Sequence, residues 1–123
     1  MTTALWVVQG ILAGAFLVAG LQKLLRPREA LARSMGWVED FQHTHVRGIG
    51  VAEVLAALGL VLPGLTGVAP VLTPVAAIGL ALLMLGAAAT HARRGEWPLI
   101  AVNVVLGGLA AFVAWGRLGS WPL

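Results

Sequence analysis

Apolar residues run almost without interruption through four stretches of the chain, residues 4–25, 46–62, 71–92 and 98–115, and each stretch carries one or two polar residues of its own. At about 1.5 Å of rise per residue, a helical run of about 20 residues crosses a hydrocarbon core. The pattern predicts an all-α protein, a bundle of four transmembrane helices, with the whole of residues 1–123 forming one membrane domain. The first run is longer than the apolar core of a secretory leader, usually about 7 to 15 residues, and no basic residue precedes it, so it is expected to stay in the mature protein as a span.

The connections are short. Residues 63–70, between the second and third runs, hold no charge and are rich in Pro and Gly, which predicts a tight turn. Pro98 suits the first turn of the fourth helix, where its missing N–H costs nothing. Only residues 26–45 form a sizeable non-spanning segment. Pro27 followed by Glu29 marks a helix start there, and Leu31, Met35 and Val38 recur at helical spacing beside Trp37 and Phe41. A short amphipathic helix lying at the membrane interface is expected, either as a solvated connector with aromatics at headgroup level or as a lid over a binding site.

Composition sharpens this picture. Hydrophobic residues make up 59% of the chain and charged residues 11%, which leaves too little polar surface to cover a water-soluble globule. A net charge of +3 would admit a nucleic-acid partner, but the distribution of the cations excludes it. Lys23, Arg26, Arg28, Arg33 and Arg47 flank the first connection and Arg93 and Arg94 occupy the third; Arg117 alone falls on the other side. The asymmetry predicts a multi-pass protein of the cytoplasmic membrane with both termini outside.

Steps of three and four along each run place its polar residues on stripes of small ones: Gln9, Ala13, Phe16, Gly20 and Lys23; Val46, Gly50, Glu53 and Ala57; Ala77, Ala81, Met84, Ala88 and His91; Asn103, Gly107, Ala110, Ala114 and Arg117. Small residues let helices approach and polar ones avoid lipid, so these four faces are expected to meet at the bundle axis. Counted from the cytoplasmic boundary, Lys23 and His91 lie near it and Glu53 and Asn103 roughly 8 to 10 Å inside, whereas Gln9 lies nearer the outer leaflet. Lys23, Glu53, His91 and Asn103 are therefore expected to share one polar pocket. Glu53 and His91 are the candidate catalytic residues, as carboxyl base or acid and as proton shuttle; Lys23, Asn103, Gln22 and Gln9 are the candidate ligand-binding residues. A polar clasp that fixes helix register without any ligand accounts for the same pattern.

Other chemistry is limited. His43-Thr44-His45 lacks the further ligands a metal site needs, and no metal is expected. With no cysteine, disulfides, thiol catalysis, iron–sulfur ligation and covalent haem attachment are excluded, so a redox role requires a quinone, a bound cofactor or a partner subunit. Gly48-Ile49-Gly50 reads as helix packing rather than nucleotide binding. A second small surface, Gly107-Gly108 with Ala110, Ala111 and Ala114, offers a place for a homodimer contact or for packing inside one bundle.

Two segments carry a family resemblance. Residues 14–24, GAFLVAGLQKL, and residues 48–63, GIGVAEVLAALGLVLP, resemble the first two helices of DoxX-like proteins, the second through a G-x-x-E element followed by Gly-Leu and Pro; residues 87–91 before Arg93 and Arg94, and Asn103, are also similar. The resemblance implies a four-helix membrane protein, in a family associated with quinone-linked oxidation, including electron transfer from thiosulfate to quinone. This chain has none of the cysteines that a sulfur-transferring subunit might use. The expected function is binding of a quinone or another small lipophile, as an accessory subunit of a membrane oxidoreductase. The alternatives are a small membrane enzyme performing isomerisation, hydration or ring opening with Glu53 as base, a proton-relaying transporter component, and the structural clasp.

Overall fold

A computed structural model describes all 123 residues. Four long helices, α1 (Thr2–Leu25), α3 (His43–Thr66), α4 (Leu72–Arg93) and α5 (Trp97–Leu118), run up and down in sequence, with α2 (Arg28–Ser34) and a 3₁₀ segment (Gly36–Asp40) between α1 and α3. Consecutive long helices pack side by side and α1 closes the bundle against α5. All four are long and apolar enough to cross a membrane, yet only 28% of each span is buried within the protein. The remainder, including Ile11, Val18, Leu55, Leu82, Leu85, Val104 and Val105, presents large apolar side chains outward. Such a surface is stable against lipid and unstable in water, so the chain is a multi-pass integral membrane protein.

The inward stripes follow the spacing expected of them. Gln9, Phe16, Gly20 and Lys23 are buried, as are Val46, Gly50, Glu53 and Ala57; Ala77, Met84 and His91; and Asn103, Ala110, Ala114 and Arg117. An apolar core of Leu12, Phe16, Ala57, Leu60, Ala77, Leu80, Met84, Ala110 and Val113 fills the middle. Close approach depends on glycine at α1–α3. A Cβ on Gly20 would stand 2.7 Å from the Gly50 carbonyl oxygen, and one on Gly50 would stand 2.9 Å from Lys23 Cβ. Gly107 packs inside the bundle against Met84, whereas a Cβ on Gly108 would meet nothing within 4 Å.

Two expected boundaries are corrected. Pro63 belongs to α3 rather than to the turn, and the helix continues to Thr66 before Gly67 ends it at φ 73°. A proline inside a helix leaves the carbonyl four residues back without its usual donor. That carbonyl, of Gly59, accepts instead from Thr73 Oγ1 at 2.7 Å, a bond between α3 and α4 that lets the helix run on. The interfacial segment is likewise not one helix but two pieces, because the chain turns at Met35 (φ −130°, ψ 83°) between α2 and the 3₁₀ segment. Leu31, Val38 and Val46 are fully buried together, with Met35, Trp37 and Phe41 packed on them, so the segment folds back onto the start of α3.

Candidate functional site

Lys23 lies near the end of α1 and Glu53 well inside α3, yet their side chains meet. Helical Cα–Cβ bonds tilt toward the N-terminus, so the lysine leans inward along α1 while the antiparallel α3 sends its glutamate toward the same boundary. Lys23 Nζ stands 2.8 Å from Glu53 Oε1 and 3.5 Å from the Ala19 carbonyl one turn back. Both side chains are more than nine-tenths buried. The Gly20–Gly50 contact, one turn from each, sets the short reach between the two helices.

This pair lines a cavity of about 450 Å³ at the end of the bundle that holds the first and third connections. Phe16, Leu83, Met84 and Leu106 supply apolar wall; His91 and Asn103 join Lys23 and Glu53 as its buried polar residues. Asn103 Nδ2 has no hydrogen-bond partner. Trp37 and Phe41 of the interfacial segment also line the cavity, as an edge-to-face pair 5.8 Å apart, with Lys23 Nζ 5.7 Å from the Trp37 ring centre. The segment therefore covers one side of the cavity.

The interfacial segment is tied to the third connection by Arg94. Its Nη1 donates to Asp40 Oδ2 at 2.8 Å and its Nε to Glu96 Oε1 at 3.1 Å. A Cβ on Gly36 would fall 2.7 Å from Arg94 Nη2, so glycine leaves room for the guanidinium. Arg28 Nη2 adds a bond to the Phe41 carbonyl at 2.9 Å. The hydrogen bond it donates to Asp40, with the charges of Asp40 and Glu96, holds the Arg94 guanidinium above its ordinary range. Glu96 Oε1 also lies 2.9 Å from His91 Nδ1. The His91 bond first, then the Arg94 charge, hold the Glu96 carboxyl below the usual carboxylate range.

Sequence had not singled out Glu96. Its available signal was its position five residues after His91 and immediately before the Trp97-Pro98 helix start, at the end of the chain segment bearing the other polar residues.

Gln9 and Gln22 do not join the cavity. Gln22 is half-buried, with its backbone carbonyl accepting from Arg26. Gln9 belongs to a second polar cluster at the opposite end: its Nε2 donates to the Leu60 carbonyl at 2.6 Å, and Arg117 Nε donates to its Oε1 at 2.7 Å. Arg117 Nη1 reaches the Trp121 carbonyl at 3.0 Å and its guanidinium carbon stands 5.5 Å from the centre of Trp6. The counting of depth that separated Gln9 from the inner set applies equally to Arg117, which sequence treated only as a marker of topology. In the His43-Thr44-His45 stretch, His43 Nε2 accepts from Arg47 Nε at 2.8 Å, and no three His, Asp or Glu side chains converge anywhere in the protein.

Comparison with curated proteins and with solved structures gives no match. Comparison with protein families matches residues 7–113, from the first turns of α1 to the last turns of α5, and through that match the chain belongs to the DoxX-like family.

Proposed function

We propose that the inner cavity binds a small lipophilic molecule with a polar ring or head, a quinone or a compound of similar size, and that the protein serves a membrane oxidoreductase as a binding or accessory subunit. The carrying observation is the cavity itself: about 450 Å³ of largely apolar wall surrounding a buried ion pair, His91 and an Asn103 amide with unused hydrogen-bonding capacity. Volumes of about 300–1,000 Å³ with a few convergent polar groups are usual for small-molecule sites. A purely structural clasp requires the polar groups and not the space beside them. The concentration of cations at this end supports a cytoplasmic-leaflet position for the cavity, with both termini outside.

Glu53 is less suited to a free catalytic base than sequence alone suggested, because Lys23 already meets its charge at 2.8 Å. Binding is therefore favoured over acid–base turnover. Titration of the protein in lipid nanodiscs with a short-chain benzoquinone, followed by quenching of Trp37 fluorescence and with Trp37→Phe as control, tests the proposal. Saturable quenching that the control loses supports it; no saturable binding in any lipid composition overturns it.

A further inference from the structure

The tautomer of His91 follows from its neighbour. Glu96 Oε1 receives Arg94 Nε at 3.1 Å and lies 2.9 Å from His91 Nδ1. An ionised carboxylate only accepts, so Nδ1 carries the hydrogen in that contact, and the neutral ring keeps a lone pair on Nε2. That nitrogen makes no hydrogen bond within the protein, the ring's one bond being at Nδ1, and His91 lines the cavity. The cavity thus contains an acceptor fixed from behind, beside the Lys23 ammonium and the Asn103 amide.

We propose that the cavity selects lipophiles bearing a ring hydroxyl, phenols or the hydroquinone state, whose O–H donates to His91 Nε2, and that Glu96 is the positioning residue that sets this preference. The proposal rests on the cavity being a binding site and goes further in naming the ligand's required donor. A ligand offering only acceptors would bury the Nε2 lone pair without a partner, a penalty of about 1–3 kcal/mol for a buried polar group, or about ten-fold or more in affinity. Arg94 supports the same arrangement by neutralising Glu96 and holding the lid that carries Trp37 and Phe41 over the cavity.

The test has two independent parts on the full-length protein in nanodiscs. Nitrogen-15 NMR of labelled histidine, with His91→Gln for assignment, is expected to show His91 as the Nδ1–H tautomer at neutral pH; an Nε2–H or doubly protonated ring overturns the proposal without reference to any ligand. Binding of a 4-alkylphenol is then compared with that of its O-methyl ether. The phenol is expected to bind about ten-fold tighter, and Glu96→Gln, whose amide can donate as well as accept, is expected to collapse that ratio. Equal binding of phenol and ether in the wild type overturns the hydroxyl preference alone. Binding of neither, with the Nδ1–H tautomer in place, overturns the binding role of the cavity and the preference with it.

Discussion

The two ends of the bundle, outer and inner in the proposed orientation, each hold a buried polar cluster, and they are built differently. At the outer end Gln9 and Arg117 bond to each other and to the Leu60 and Trp121 carbonyls, with Arg117 Nη2 the one buried group there without a partner. At the inner end Lys23 and Glu53 pair, but His91 Nε2 and Asn103 Nδ2 lack protein partners and a cavity lies between the helices. The outer cluster joins a buried guanidinium to neutral acceptors, and all five Asp and Glu side chains of the chain belong to the other half. The contrast separates a group of side chains that serves packing from one that leaves room for something else.

The largest effect is expected from breaking the inner ion pair on one side. Glu53→Ala leaves Lys23 buried without a counter-charge and should cost about 3–5 kcal/mol of stability, read by thermal unfolding in detergent. Replacing both partners, Lys23→Met with Glu53→Leu, should restore most of that stability while abolishing ligand binding. A double variant that is both stable and binding-competent would remove the pair from the site. Next, Gly20→Ala should separate α1 from α3, because its Cβ meets the Gly50 backbone, and should cost about 1–3 kcal/mol through overpacking.

At the outer end Arg117→Met leaves Gln9 Oε1 without its donor, at about 1–3 kcal/mol, and should leave the affinity for inner-cavity ligands unchanged. An equal loss of binding would erase the distinction between the two clusters. Thr73→Val removes the hydroxyl that serves the Gly59 carbonyl and should cost less, about 0.6–1.7 kcal/mol, in line with other interhelical hydrogen bonds in membranes.

The smallest effect concerns the lid. Glu96 is held below the usual carboxylate range, so its contribution is complete above that range and is lost as the pH falls through its lowered value. Trp37 fluorescence of the ligand-free protein, with Trp37→Phe as control, should therefore report an unchanged lid from neutral to mildly acid pH and a change only at strongly acid pH.

Much of the fold was legible because one period governs it. Every residue placed on the α3 stripe, Val46, Gly50, Glu53 and Ala57, is buried, since lipid rejects the polar members and close packing selects the small ones. Where partners lie far apart in sequence, local pattern carried less. Pro63 looked like a helix end because the Thr73 hydroxyl that makes it tolerable belongs to the next helix. Depth set Gln9 apart from the inner set, but it still stood among the ligand-binding candidates because its partner, Arg117, is 108 positions away at the other end of the chain. The interfacial segment is fastened through Asp40 to Arg94, 54 positions away on a different connection, a contact that no local pattern announces.

The most direct measurement identifies small molecules that co-purify with the protein, by mass spectrometry of the detergent-solubilised wild type beside Glu53→Gln. The account predicts a lipophile bound to the wild type and depleted in a Glu53→Gln protein that still folds as a four-helix bundle. A wild type that carries no small molecule and takes up none when offered phenols or quinones would contradict it and leave the inner cluster, like the outer one, a matter of packing.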